Sequence, residues 1–163
     1  MSELAFISPG SARPEGEFTP RASSPLARAL AGAKGIRDLS PLGKLEVRGR
    51  EAIGGLSDDV EVIPITSARA LVICPAGRVA ELRRSLTGLV IDLTGALAGI
   101  EVDDARLLSR LTDLDPDSLP AAGRVAGVLG IVTAAERGFR IFFAQELGDS
   151  VVEAVRDLEE GLA

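Results

Sequence analysis

The chain has 163 residues, a formal net charge of −6, one cysteine and no histidine, tryptophan or tyrosine. A chain this long can bury enough surface to fold without a disulfide or structural metal. Without histidine there is no serine triad, no Cys–His pair and no imidazole metal site, and the acidic balance disfavours phosphate contacts with nucleic acid.

Residues 1–22 contain Pro9, Pro14, Pro20, Gly10 and Gly16 without an apolar period, which predicts an irregular N-terminal arm. The beginning of the chain lacks the cationic start and apolar run of a signal peptide. The longest nearly uncharged apolar run, 125–135, is too short to span a bilayer. Ser24-Pro25 opens a predicted helix: serine caps the free amides and proline suits the first helical position. Leu26, Ala29, Leu30 and Ala33 share its apolar face, and Gly35 ends it.

Next comes a predicted strand at 44–48, with Leu45 and Val47 facing inward and Lys44, Glu46 and Arg48 facing water. Gly49, Gly54 and Gly55 interrupt the following stretch. Residues 60–65 read as a strand, placed at an edge by Pro64. Residues 70–74 read as a strand buried on both faces, with Cys74 a small buried hydrophobe; one cysteine excludes an internal disulfide and fits a reducing cytoplasm. Pro75-Ala76-Gly77 then leads into a helix carrying Val79, Leu82 and Leu86, closed by Gly88.

The remainder repeats this order. Val90-Ile91 and residues 96–102 read as strands, and Asp103 or Asp104 caps a helix bearing Leu107, Leu108 and Leu111. Asp115-Pro116 and Leu119-Pro120 mark a loop. A single apolar strand is expected over 125–133, then one over 139–144 with Phe139, Ile141 and Phe143 inward. The last helix spans about 146–161, with Val151, Val152, Val155, Leu158 and Leu162 as its stripe. Asp38-Leu39-Ser40 before Leu45-Glu46-Val47 is echoed by Asp92-Leu93-Thr94 before Ile100-Glu101-Val102. Leu71-Val72-Ile73-Cys74 is aligned with Ile141-Phe142-Phe143-Ala144. The expected fold is therefore α+β: a single domain over 23–163, built from half-repeats at about 36–88 and 90–160.

Recognisable catalytic patterns are missing. Gly43-Lys44 lacks the glycines and the hydroxyl residue of a phosphate loop. Asp113, Asp115 and Asp117 resemble the start of a calcium loop, but Ser118 and Arg124 stand where glycine and glutamate are needed. The acidic pairs Asp58-Asp59 and Asp103-Asp104 read as caps and surface charge rather than acid–base machinery. The candidate partner surface is Arg140 with Phe142, which share the strand face opposite Phe139, Ile141 and Phe143. An outward phenylalanine there suggests a partner or a second layer; packing beneath the closing helix is the alternative.

Ser23-Ser24-Pro25-Leu26-Ala27 and the run Asp38-Leu39-Ser40-Pro41-Leu42-Gly43-Lys44-Leu45-Glu46-Val47-Arg48-Gly49 resemble the start of folate-binding-domain proteins of the aminomethyltransferase type, which include the glycine cleavage T protein. Asp92-Leu93-Thr94, Ala105-Arg106-Leu107-Leu108, Leu111-Thr112-Asp113-Leu114-Asp115, Leu119-Pro120 and Gly138-Phe139-Arg140-Ile141 are similar to the gamma subunit of heterotetrameric sarcosine oxidase. The resemblance covers about 23–160. Pro41 replaces a histidine found in T proteins, and the 70–74 strand lacks the tryptophan common nearby in gamma subunits. The resemblance implies a folate-binding-domain-like fold with mixed or antiparallel sheets and a cytoplasmic, non-catalytic accessory subunit binding no cofactor of its own. FAD or FMN, NAD and tetrahydrofolate would then sit on larger flavoprotein partner subunits. Self-association and a stand-alone tetrahydrofolate-binding module are the other readings; neither a nucleic acid nor a membrane is expected as a partner.

Overall fold

In the computed structural model, residues 23–49 and 56–161 are described. The predicted N-terminal arm, Gly54, Gly55 and Leu162 lie outside them. Among the described residues, nine strands and three α-helices follow in order: β1 (Ile36–Asp38), β2 (Gly43–Arg48), β3 (Glu61–Thr66), β4 (Arg69–Cys74), α1 (Val79–Ser85), β5 (Leu89–Asp92), β6 (Leu97–Val102), α2 (Leu108–Leu111), β7 (Ala121–Val125), β8 (Val128–Ala134), β9 (Phe139–Ala144) and α3 (Gly148–Glu160).

The strands form two antiparallel sheets, ordered β3-β4-β2-β5 and β1-β6-β9-β8-β7. Each packs a helical layer on its outer face. Leu45, Val47, Val72 and Cys74 meet Leu82 of α1 and Leu86 just beyond its end. Ile100, Val102, Phe139, Ile141 and Phe143 meet Leu107, Leu108 and Leu111, together with Val151, Val152 and Val155 of α3. Between the sheets lie Leu39, Ile63, Leu71, Ile73 and Phe142. The architecture is α+β in four layers, helix–sheet–sheet–helix.

The two sheets have matching strand orders, β5-β2-β4-β3 against β1-β6-β9-β8, with β7 added to the second. The first strand of each half pairs in the other half's sheet: β1 with β6 and β5 with β2. The hydrogen bonds around the Asp-Leu-Ser/Thr turns match as well. Asp38 Oδ1 accepts from the Ser40 amide at 2.8 Å, and Asp92 Oδ1 accepts from the Thr94 amide at 3.0 Å. The Leu39 amide donates to the Gly99 carbonyl, and the Leu93 amide to the Lys44 carbonyl, both at 2.8 Å. The Ser40 hydroxyl accepts from the Gly99 amide and the Thr94 hydroxyl from the Lys44 amide.

This register shifts the sequence alignment of the half-ends by one residue. Leu45 pairs with Val72 and Ile100 pairs with Ile141, so Val72 corresponds to Ile141 and Cys74 to Phe143. Matching Leu71 to Ile141 places residues from opposite sheet faces together, because a one-residue slip inverts every side chain.

Several elements match their expected places. β3 is an edge strand and carries Pro64 with a register shift beside it. β4 is buried from Ala70 to Cys74, and Asp104 caps the turn before α2 by accepting from the Arg106 amide. Others differ. The segment after Ser24 is a series of turns, not a helix. The Ser24 hydroxyl does accept from the Leu26 amide, but Gly32 already adopts a φ of +76°, which halts helical propagation. Leu26 is nevertheless fully buried. It sits against Gly148 at the start of α3, where a Cβ would lie 2.3 Å from Leu26 Cδ2.

The single strand expected over 125–133 is a hairpin. Ala126 and Gly127 both have positive φ, 50° and 79°, the signature of a two-residue type I′ turn. β7 precedes that turn and begins at Ala121, four residues ahead of the expected strand. Its outer edge is closed in part by Thr112, whose hydroxyl donates to the Arg124 carbonyl at 2.6 Å.

Neither Lys44 nor Glu46 faces water: they are 0% and 7% exposed. β2 is an interior strand, and its supposed wet face is covered by the second sheet.

Candidate functional site

At one end of the seam between the sheets lies a cleft of about 460 Å³. One wall is formed by Arg37 and Asp38 of β1, Leu39, Pro41 and Leu42 of the following loop, and Arg140 and Phe142 of β9. The other is formed by Asp58, Asp59 and Glu61 with Ile73, Cys74 and Pro75. The apolar floor is built by strand alternation. Ile73 and Phe142 occupy inward positions of β4 and β9 and belong to the inter-sheet cluster.

Arg140 and Phe142 do share a face, as their spacing predicts. That face meets the β3-β4-β2-β5 sheet, not α3 and not solvent. Phe142 is 1% exposed, so it offers no outward aromatic surface and serves as a second-layer packing residue. Arg140 lies in the cleft wall.

A chain of ion pairs crosses the seam. Glu101, paired with Arg140 across the β6–β9 ladder, accepts from Arg140 Nε at 2.6 Å and from Arg37 Nη2 at 2.7 Å. Arg140 also donates to Glu61 of the other sheet. Burial pushes the Glu101 carboxyl upward, but the two guanidinium hydrogen bonds hold it below the usual glutamate range. The corresponding glutamate of the other half, Glu46, is bound by Arg69 at 2.9 Å and Arg48 at 2.6 Å. The Arg69 hydrogen bond is the largest cause of its lowered pKa. Beside the cleft, Arg78 binds Asp59 and the Ser57 hydroxyl, both at 2.6 Å.

Beneath the Ser40–Leu42 loop, the Lys44 ammonium donates to the carbonyls of Ser40 and Leu42 at 2.8 Å each. These bonds tie the cleft wall to β2. Burial pushes Lys44 down to about 8, against the opposing pull of the Asp38 carboxylate and Cys74. Burial also raises the Cys74 thiol, outweighing the opposing pull of Arg78 and Lys44, which favours the unreactive thiol over the thiolate.

The remaining sequence candidates serve local structure. Asp115 caps a short 3₁₀ turn by accepting from the Asp117 amide, and Asp104 pairs with Arg106. Among the described residues, no group of three or more His, Cys, Asp or Glu side chains is arranged to hold a metal ion. No described helix is long and apolar enough to cross a membrane. Sequence reasoning missed Glu101, Glu61, Arg37 and Lys44 as parts of one site. The available signal was charge at inward positions of apolar strands, as in Leu97–Val102 and Phe139–Ala144.

No family model and no curated protein matches the chain. Among solved structures, it is similar to a chain of the heterotetrameric sarcosine oxidase from Corynebacterium sp. U-96, solved in complex with pyrrole 2-carboxylate. The TM-score is 0.67 at 16% identity, with 86% of this chain and 95% of that chain covered. The protein therefore shares its fold with a chain of that heterotetramer.

Proposed function

We propose that the protein is an accessory, non-catalytic subunit of a sarcosine oxidase-type complex, in the place of the gamma subunit. The fold likeness carries the reading, because it takes in 95% of one chain of a heterotetrameric enzyme. The resemblance of residues 23–160 supports the same reading. The cleft chemistry agrees with it: Arg140, Glu101 and Glu61 are tied to one another, not arrayed around an open reacting position. On this reading the matching halves are a duplicated unit of the folate-binding-domain type, and the complex is cytoplasmic. FAD or FMN, NAD and tetrahydrofolate sit on the larger subunits, with none bound by this chain.

Co-expression with flavin-bearing oxidase subunits from the same genome tests the reading. Gel filtration should give one peak containing this chain and the flavin absorbance. Separate elution in every combination refutes it. Calorimetric titration of the isolated chain with tetrahydrofolate should show no binding; micromolar affinity would favour a stand-alone folate module.

A further inference from the structure

The ionic groups of the inter-sheet cleft are unequally committed. Both guanidiniums of its wall, Arg37 and Arg140, are bound to Glu101, and Arg140 also reaches Glu61. Asp59 is bound by Arg78. Among the described residues, neither Asp38 nor Asp58 forms an ion pair; Asp58 stands exposed at the rim, and Pro41, Leu42 and Pro75 are the apolar lining residues that are not buried. The lining carries four carboxylates against two guanidiniums, on a chain of net charge −6.

We propose that this cleft is a docking site for a lysine- or arginine-bearing segment of a partner polypeptide. The proposal rests on the subunit reading above for the identity of the partner. An aliphatic stem would lie along Pro41, Leu42 and Pro75 while its cationic head reaches Asp58, the division of labour that long basic side chains permit. A volume of about 460 Å³ accommodates one or two such side chains. A negatively charged segment is disfavoured because the two guanidiniums are already neutralised. The Lys44 hydrogen bonds hold the Ser40–Leu42 wall in place, so the site is preformed.

Two measurements separate this proposal from the subunit reading. In the co-expressed complex, Asp58→Lys should weaken association at least roughly tenfold, with a shallower salt dependence, while Asp117→Lys, on the far 3₁₀ turn, leaves it unchanged. Association unchanged by Asp58→Lys refutes the docking site and leaves the subunit reading standing. On the isolated full chain, the probe acetyl-Leu-Arg-Leu-amide should shift the amide resonances of Leu39, Leu42 and Asp58 at millimolar concentration. Asp58→Lys should abolish those shifts. Absence of shifts in the wild-type chain overturns the proposal whatever the assembly does, and equal shifts with acetyl-Leu-Glu-Leu-amide overturn its charge preference. Shifts from the arginine probe in a chain that never joins a flavoprotein complex support the site and defeat only the subunit reading.

Discussion

Gly99 lies against the ring of Phe142. A Cβ at Gly99 would stand 2.8 Å from Phe142 Cδ1 and 2.9 Å from Cε1, with the Leu39 Cβ at 3.2 Å. The position corresponds to Lys44 in the other half, where Ile73 takes the place of Phe142. The two halves fill the inter-sheet layer differently: a long buried lysine beside isoleucine in one, a glycine beneath phenylalanine in the other. Gly99→Ala should therefore cost about 1–3 kcal/mol through overpacking, measured by urea denaturation. Gly77→Ala, with nothing within 4 Å of its Cβ position, should stay within about 0.5 kcal/mol.

The hairpin turn offers a test in which packing plays no part. Gly127 has a φ of +79°, and nothing lies within 4 Å of a Cβ built there. Gly127→Ala should cost about 1 kcal/mol from backbone conformation alone. A neutral result would contradict the two-residue turn between β7 and β8.

Lys44 makes stability depend on pH in a defined window. Below about 8 the side chain is protonated in both folded and unfolded chains, and folding bears the cost of burying the charge. Between about 8 and the ordinary lysine value of 10.5, the folded chain has released the proton and the unfolded chain has not. Stability gained from this group therefore rises through that interval and levels off above it. The increment is on the order of 3 kcal/mol. Cys74, with its raised pKa, works in the opposite direction at high pH. Subtracting the Lys44→Met curve from wild type removes the cysteine contribution and should leave the rise. A flat difference between pH 7 and 10.5 would refute it.

Glu101 governs the acid side. Glu101→Gln should lower stability by about 1–3 kcal/mol, since it leaves Arg37 without its carboxylate and Arg140 with Glu61 alone. The carboxyl is lowered in the folded chain. Its contribution is present above the unfolded value and is lost as pH falls through the folded one. Chemical denaturation between pH 7 and 3 should show a shallower acid decline in Glu101→Gln than in wild type.

The α+β class and most strand locations were legible because alternation, glycine breaks and Pro64 act locally. The layer that covers each strand was not. Lys44-Leu45-Glu46-Val47-Arg48 alternates as a half-wet strand, and nothing within those five residues reveals that the opposite sheet will cover Lys44 and Glu46. The run 125–133 is uniformly apolar, so the turn at Ala126-Gly127 is signalled by one glycine alone. Phe142 was placed on the correct face, but the sheet meeting that face depends on partners many residues away. The ion-pair chain was hidden for the same reason: Glu61, Glu101 and Arg140 are distant in sequence and meet only after both sheets have formed.

The exchange of first strands between the sheets has a consequence for synthesis. β1 must wait for β6, whose paired residues Ile100, Glu101 and Val102 are made more than sixty positions later. Until β5 emerges, β2 lacks one neighbour as well. The first half is thus held incomplete on the ribosome, with the cleft wall built from β1 and β9 unformed. Closure comes late, when the C-terminal half supplies β9 and α3. A chain cut in the loop between α1 and β5 would yield two pieces, each retaining a strand that belongs to the other's sheet. They should regain the native fold when mixed, with neither becoming independently complete.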